Sequence, residues 1–275
     1  MGIDRRLIAP QIERLYRGKL LHEITTGHSG DGIFALEAAP GQCILRVSEF
    51  SEKKQAHTEF ETRWTAYLSD RIGGVVKPVR SVNQKLYEVI KVGSEAYILS
   101  LQEKAPGKIV DVNNPREFNE ALFFNLGILM GHMHRLTMCY EGNKACLEFK
   151  WNGPHFWRKD IAILDKDVRQ GEKRIRKELE QLPVGMDNYG IVHYDIHTDN
   201  FLAENNQITL IDFDACQFNW YAADIASALF FIDLIDGNRL ITSCKYLLKR
   251  GKSLYYQRFP HFCLYLLISS YKLVL

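Results

Sequence analysis

Chemically reactive side chains crowd one short stretch in the last third of the chain. His193 and Asp195 precede Asn200 in a polar loop, and Asp212 follows a second apolar run. The segment 204–207, Glu-Asn-Asn-Gln, has the composition of a hairpin turn, so we expect it to fold Asn200 back towards Asp212. Amide and carboxylate oxygens of this kind suit Mg²⁺ bridged by phosphates, and Asp195 can accept a proton from an incoming hydroxyl. The pattern therefore predicts phosphoryl transfer.

This order of residues, H-x-D-x-x-x-x-N followed by an apolar residue and D-F-D, resembles the motifs of the aminoglycoside phosphotransferase and choline kinase family. The resemblance implies that Asp195 is the catalytic base and that His193 supports its loop. It implies that Asn200 and Asp212 hold Mg²⁺. In the next motif, Asp224 would be a buried aspartate that ties down the backbone of the catalytic loop. Either motif alone is weak, whereas both in this order are specific.

The resemblance extends, with less specificity, into the first hundred residues. Arg46 lies in the run I-L-R-V, where related kinases carry a cation that binds phosphate, and arginine can contact two phosphate oxygens. Its partner would be a carboxylate on the helix that follows. Glu61 is our choice and Glu59 is a close rival, because one helix cannot direct both side chains the same way.

Two further segments complete the ATP site that the resemblance implies. The glycine-rich loop 27–32 would cover the phosphates with Ser29 and Gly30, because glycines let N–H groups approach phosphate oxygens. An ordinary hairpin turn explains this loop nearly as well. Backbone groups of Glu103 to Ala105, in the position of the hinge, would bind the edge of the adenine.

Hydrophobic spacing predicts the elements that position these groups. Helical patterns occur at 3–17, 52–69, 115–136 and 159–181, and they dominate again from residue 222. Alternating or continuously apolar runs predict strands in the first half of the chain. These predicted strands lie at 32–38, 42–47, 75–82, 85–92 and 95–101.

The order of these elements predicts an α+β protein with a bilobal, protein-kinase-like fold. A β-rich N-lobe, residues 1–102, would cover the nucleotide. A mainly helical C-lobe, residues 103–275, would carry the catalytic loop, the metal site and the acceptor site. ATP would bind between the two lobes, with Mg²⁺ on its phosphates.

Composition excludes several other classes of protein. Hydrophobic residues make up 46% of the chain, charged residues make up 25%, and the net charge of +2 predicts no surface for nucleic acid. The six cysteines form no C-x-x-C pair, and the first residues lack the apolar segment of a secretory signal. No apolar run is long enough to span a bilayer. We expect a cytoplasmic protein whose partner is a small-molecule acceptor; the sequence leaves its oligomeric state open.

Two other functions fit parts of the pattern. A metallo-hydrolase could use the alternating residues His193, Asp195 and His197 as ligands, but this hypothesis leaves Asn200 and the D-F-D motif unexplained. A kinase fold that binds nucleotide without catalysis is the second alternative, and arginine rather than lysine at position 46 leaves room for it. Within the kinase class, an aminoglycoside, an amino alcohol or a sugar could be the acceptor.

Other polar and aromatic residues have more ordinary interpretations. His132 and His134 flank a methionine near a predicted helix end, where we expect packing or capping roles. His197 and Asp199 either contact the substrate or hydrogen-bond the catalytic loop. The aromatic cluster at 151–157 fits core packing better than an acceptor pocket.

Overall fold

The computed structural model describes residues 5–24, 31–39, 41–144, 149–153 and 166–235. The chain divides into two compact units, Met1–Pro106 and Gly107–Leu275. The predicted phosphate-binding residues Ser29 and Gly30 lie outside the described ranges, as do residues 154–157 of the aromatic cluster.

Within its described residues, the first unit combines two helices with an antiparallel sheet. Its elements in chain order are α1 (Arg5–Tyr16), β1 (Lys19–Glu23), β2 (Gly32–Ala38), β3 (Gly41–Glu49), α2 (Glu52–Ser69), β4 (Pro78–Val79), β5 (Tyr87–Val92) and β6 (Glu95–Glu103). Strands β1, β2, β3, β6 and β4 are neighbours in that order, and β5 pairs along β6. All of these pairs are antiparallel.

Period-two alternation in the sheet separates the core face from the face that carries Arg46. Side chains of one face pack against the apolar stripe of α1, and each fully buried leucine or phenylalanine there contributes about 1.5–3 kcal/mol. In β3, Leu45 and Val47 belong to this buried face, so Arg46 between them points to the opposite face. The buried cluster contains Ile8, Ile12, Tyr16, Leu20, Phe34, Leu36, Cys43, Leu45, Val47, Ile90, Leu99 and Leu101.

Helix α2 has the bounds that the sequence predicts, because its first turn carries a local capping signal. The side chain of Ser51 accepts a hydrogen bond from the Lys54 N–H at 3.1 Å. Its apolar residues Phe60, Trp64 and Leu68 recur every four positions and are buried. The helix contacts β4, β5 and β6.

The predicted strand at 75–82 is too long, because the paired strand β4 covers only Pro78–Val79. Pro78 has no N–H to donate to a strand partner. Immediately afterwards the Ser81 N–H donates to the Lys85 carbonyl at 2.9 Å, and Gln84 has a φ of +62°. The paired strand therefore ends at Val79, and the chain turns at residues 81–85.

The second unit is mixed, with short strands among longer helices. Its elements in chain order are α3 (Glu120–Met138), α4 (Lys166–Leu179), β7 (Tyr189–Val192), β8 (Phe201–Glu204), β9 (Gln207–Leu210), β10 (Gln217–Trp220) and α5 (Ala222–Ile235). Strand β7 pairs with β10 and β8 pairs with β9, both antiparallel. Helix α3 begins at residue 120 rather than 115, because the Asn119 side chain caps it by accepting from the Leu122 N–H at 3.0 Å.

Trp151 takes part in a core cluster of the second unit, as expected for core packing. Its ring lies 5.2 Å from the ring of Trp220 and tilts against it. Ile175 and Leu179 of α4 complete this cluster. Within the described part of the chain, no helix has both the length and the apolar character needed to cross a membrane.

Gly107 lies at the start of the second unit, where the backbone packs tightly against the β8–β9 hairpin. Lys108 and Ala203 exchange two backbone hydrogen bonds, of 3.2 and 2.9 Å. Gly107 has a φ of +90°, and a Cβ at this position would lie 2.6 Å from the carbonyl carbon and oxygen of Ala203. Only glycine fits both the conformation and the space.

We expect Gly107→Ala to lower the free energy of unfolding by about 2–4 kcal/mol. Alanine would be held at a strained positive φ, and its Cβ would clash with the Ala203 carbonyl. Gly131→Ala in α3 is the matched control. A Cβ at Gly131 meets nothing within 4 Å, and alanine in a helix is more stable than glycine by about 0.5–1 kcal/mol. Denaturant unfolding measures both variants, and equal stability of the two would contradict this account of Gly107.

Candidate active site

The β8–β9 hairpin places Asn200 beside the segment that leads to Asp212. The turn residues Asn205 and Asn206 both have positive φ, of +51° and +63°, as a two-residue hairpin turn requires. The Ile211 N–H donates to the Asn200 carbonyl at 3.0 Å. The predicted fold-back of Asn200 towards Asp212 is therefore confirmed at the level of the backbone.

The carboxylate of Asp195 is held within its own loop. The side-chain nitrogen of Asn200 donates to it at 2.9 Å and to the Asp195 main-chain carbonyl at 3.0 Å. Burial acts to raise the pKa of Asp195, but the hydrogen bond and charge of His197 outweigh it and hold the pKa below its ordinary value. At neutral pH Asp195 is therefore ionised, which is the state that accepts a proton.

His193 links this loop to the residues that precede Asp212. The ring is fully buried, and its Nδ1 accepts the Asp195 N–H at 3.3 Å. Nε2 therefore carries the proton in the neutral ring and donates to the Ile211 carbonyl at 3.0 Å. The ring also packs against Phe213, with the centroids 4.5 Å apart. A single side chain thus contacts both segments that the sequence predicts to be functional.

These contacts do not fit the metal cage of the metallo-hydrolase hypothesis. Both ring nitrogens of His193 are occupied by main-chain groups. Within residues 5–24, 31–39, 41–144, 149–153 and 166–235, no group of three or more His, Cys, Asp or Glu side chains could hold a metal ion. The proposed cage of His193, Asp195 and His197 is not formed.

Asn200 and Asp212 have the chemistry of ligands for a divalent cation. The amide nitrogen of Asn200 is committed to Asp195, so its amide oxygen is the atom that would bind a cation. Asp212 has a φ of +56°, which is an uncommon conformation for a residue other than glycine and is typical of functional sites. Hard oxygen donors of these two types fit Mg²⁺ held jointly with phosphates.

Helix α5 holds the backbone of the catalytic loop at several points. The fully buried carboxylate of Asp224 accepts the N–H of His193 at 3.3 Å and that of Tyr194 at 2.6 Å. One turn later, the Ser227 hydroxyl accepts the N–H of Ile196 at 3.1 Å. The expectation that Asp224 ties down this loop is confirmed. These bonds also hold Tyr194 at a φ of +72°.

His134 is a part of this network that sequence reasoning missed. Its Nε2 lies 2.7 Å from Oδ2 of Asp224, and its ring stacks on Tyr221 with the centroids 4.7 Å apart. The expectation of packing holds for His134, whose buried ring stacks on Tyr221, but its contact with Asp224 was not predicted. His132 does not fit that expectation, because it is exposed. The available signal was position, because His134 follows the buried Met130 by four residues and so shares its helix face.

We expect His134→Ala to lower the free energy of unfolding by about 2–4 kcal/mol. The substitution would leave Asp224 as a buried carboxylate with one partner fewer. His132→Ala, on the exposed side of the same turn, is the control and should change stability by less than about 0.5 kcal/mol. Thermal unfolding of both variants checks this, and equal melting temperatures would contradict it.

In the first unit, Arg46 forms an ion pair with Glu61, and both side chains are mostly buried. Glu59 has other partners, because it pairs with Arg63 at 2.6 Å and accepts a hydrogen bond from the Tyr87 hydroxyl at 3.3 Å. The choice between the two glutamates, which the sequence left open, therefore falls on Glu61. The ion pair joins β3 to α2.

The segment predicted to bind adenine continues the end of the interior strand β6. The Glu103 N–H donates to the Lys77 carbonyl at 2.8 Å, and the Lys104 N–H donates to the Gln42 carbonyl at 2.9 Å. These two donors are thus committed to the sheet. If this segment binds adenine, as the sequence predicts, the donor would be the N–H of Ala105.

A family model described as the phosphotransferase enzyme family matches residues 21–244 of the chain. The chain belongs to this family. The amicoumacin kinase of Bacillus subtilis (strain 168) is 33% identical to this chain over 193 residues, which are 68% of this chain and 56% of that protein. An uncharacterised protein of Synechocystis sp. is 24% identical over 215 residues, 72% of this chain and 56% of that protein. The chain thus spans little more than half the length of these curated relatives.

Solved structures of phosphotransferases share the fold. The amicoumacin kinase hAmiN, in complex with AMP-PNP, Ca²⁺ and Ami, has a TM-score of 0.75 at 23% identity and covers 98% of this chain and 86% of its own. A microcompartment-associated aminopropanol kinase has a TM-score of 0.67 at 20% identity, and the match covers 91% of this chain and 81% of that one. A spectinomycin phosphotransferase in complex with ADP and spectinomycin has a TM-score of 0.60 at 14% identity. The match covers 92% of this chain and 80% of that one. The expected α+β, protein-kinase-like fold is confirmed.

Proposed function

We propose that this chain transfers the γ-phosphate of ATP to a hydroxyl or amine of a small molecule. The observation that carries the proposal is the arrangement in the second unit, where an ionised Asp195 is held by Asn200 and a hairpin places Asn200 beside the segment leading to Asp212. Membership of the phosphotransferase enzyme family and the similarity to an amicoumacin kinase support it.

In the proposed reaction, Asp195 accepts the proton of the acceptor hydroxyl while that oxygen attacks the γ-phosphorus. A bond forms between the acceptor oxygen and phosphorus, the bond to the β–γ bridging oxygen breaks, and ADP leaves with the electron pair. The role of Asp195 is to orient the nucleophile and to receive its proton.

The remaining residues position phosphates and charge. Asn200 and Asp212 would hold Mg²⁺, which, when bound, neutralises charge on the phosphates of ATP. Arg46 would contact phosphate oxygens, and its ion pair with Glu61 fixes the guanidinium in place. The N–H of Ala105 would bind the adenine edge.

The relatives suggest which acceptors to test first. One relative is named as a kinase of amicoumacin, and a structural neighbour is named as a kinase of aminopropanol. The name aminopropanol specifies a compound with both an amine and a hydroxyl. We propose an acceptor of this kind, in which the hydroxyl is the nucleophile that a carboxylate base activates. Aminoglycosides and sugars form the next group of candidates.

The test is an ADP-release screen with purified chain, ATP and Mg²⁺ across amicoumacin, aminopropanol, spectinomycin and simple sugars. We expect one acceptor class to stimulate ADP release and to yield a product heavier by one phosphoryl group in mass spectrometry. The variant Asp195→Asn serves as the blank. Tight ATP binding with no product from any acceptor would favour the alternative of a nucleotide-binding module that lacks catalysis.

A further inference from the structure

Two side chains converge on one oxygen of the Asp195 carboxylate. The Nδ2 of Asn200 donates to Oδ2 at 2.9 Å, and the Nε2 of His197 lies 3.5 Å from the same Oδ2. Both contacts are thus made by Oδ2 rather than by Oδ1. The side chain of Asp195 is 39% exposed to solvent, so it remains accessible to an acceptor.

The hydrogen bond made by Nδ1 of His197 indicates which ring nitrogen carries the hydrogen. Nδ1 accepts the Asp199 N–H at 3.3 Å and thereby caps the short 3₁₀ turn Thr198–Asn200. A neutral ring whose Nδ1 accepts carries its hydrogen on Nε2, and an imidazolium carries hydrogens on both nitrogens. In either state, Nε2–H faces Asp195.

A carboxylate held by one hydrogen bond turns easily, because the terminal torsion of an aspartate is broad. A second donor on the same oxygen restricts that rotation and fixes the direction in which Oδ1 points. Small errors in the placement of a reacting group are costly, and a displacement of about 1 Å can lower the rate roughly 100-fold.

We propose that His197 is a positioning residue for phosphoryl transfer, whose Nε2–H holds Oδ2 of Asp195 so that Oδ1 accepts the acceptor's proton. The proposal rests on the proposed function and adds to it the atom that acts as base. Of the two roles that the sequence left open for His197, the geometry assigns the hydrogen bond within the loop.

Two substitutions distinguish the role of Nδ1 of His197 from the role of its Nε2. In His197→Asn, the amide oxygen can replace Nδ1 as the acceptor for the Asp199 N–H, while the contact with Asp195 is lost. In His197→Gln, the longer amide places a donor near the position of Nε2. We expect His197→Asn to lower kcat roughly 10- to 100-fold with an unchanged melting temperature and unchanged KM for ATP. His197→Gln should recover most of the lost kcat.

A spectroscopic readout keeps this test separate from the proposed function. In long-range ¹⁵N–¹H spectra, assigned by comparison with His197→Asn, we expect His197 to carry hydrogen on Nε2 and this signal to shift in Asp195→Asn. If the unmodified chain phosphorylates no acceptor, the proposed function fails, and the spectrum still tests the contact. A signal unmoved by Asp195→Asn overturns the proposal. So does a His197→Asn variant that keeps full kcat, or one that raises only the KM for the acceptor, as loss of a substrate contact would.

Discussion

Asp195→Asn is expected to lower kcat by about 10²- to 10⁴-fold, the contribution of a positioned general base, while ATP binds nearly as before. The amide has almost the shape of the carboxylate, and its oxygen can still accept the hydrogen bond from Asn200. It cannot accept the proton of an attacking hydroxyl. Initial rates of ADP release give kcat, and a nucleotide titration gives the Kd for ATP.

The matched control is Asp199→Asn, which removes the same charge from the same loop. The Asp199 side chain is 71% exposed and is not among the groups proposed to touch the reacting atoms. Its kcat should stay within a few-fold of that of the unmodified chain, as is usual for exposed sites. Equal rates for the two variants would remove Asp195 from the role of base.

Asp212→Asn is expected to weaken Mg²⁺-dependent ATP binding by at least about 100-fold, because it removes the anionic ligand of the proposed metal site. Asparagine is the informative replacement at this position. Asp212 has a φ of +56°, which asparagine tolerates and alanine does not. Asp212→Ala would therefore add a loss of stability to the loss of a ligand.

Calorimetric titration with ATP, in Mg²⁺ and in EDTA, measures this effect. The unmodified chain and the control Asp199→Asn should bind ATP more tightly when Mg²⁺ is present. In Asp212→Asn the two affinities should be nearly equal. A variant that keeps the full response to Mg²⁺ would show that Asp212 is not a metal ligand.

The sequence predicts the elements whose signals are local. The bounds of α2 follow from the Ser51 cap and a regular apolar face, and those of β2 from apolar residues between turns. The β8–β9 hairpin follows from the turn residues Asn205 and Asn206, which adopt positive φ readily. The resemblance added the contact between Asp224 and the loop, which no local pattern contains.

Features that depend on distant partners could not be predicted. His134 contacts a carboxylate 90 positions away, and nothing in its helix marks that partner. Strand β10 is only four residues long and alternates polar with aromatic residues, so only its pairing with β7 identifies it. The choice of Glu61 over Glu59 was decided by the direction in which α2 packs on the sheet, which periodicity alone does not fix.

The most direct test of the central claim is a crystal structure of this chain with AMP-PNP and Mg²⁺. We predict a magnesium ion bound by the amide oxygen of Asn200, the carboxylate of Asp212 and phosphate oxygens, with Oδ1 of Asp195 facing the γ-phosphate. A nucleotide bound with its metal on other side chains, or with Asp195 turned away from the γ-phosphate, would contradict the account.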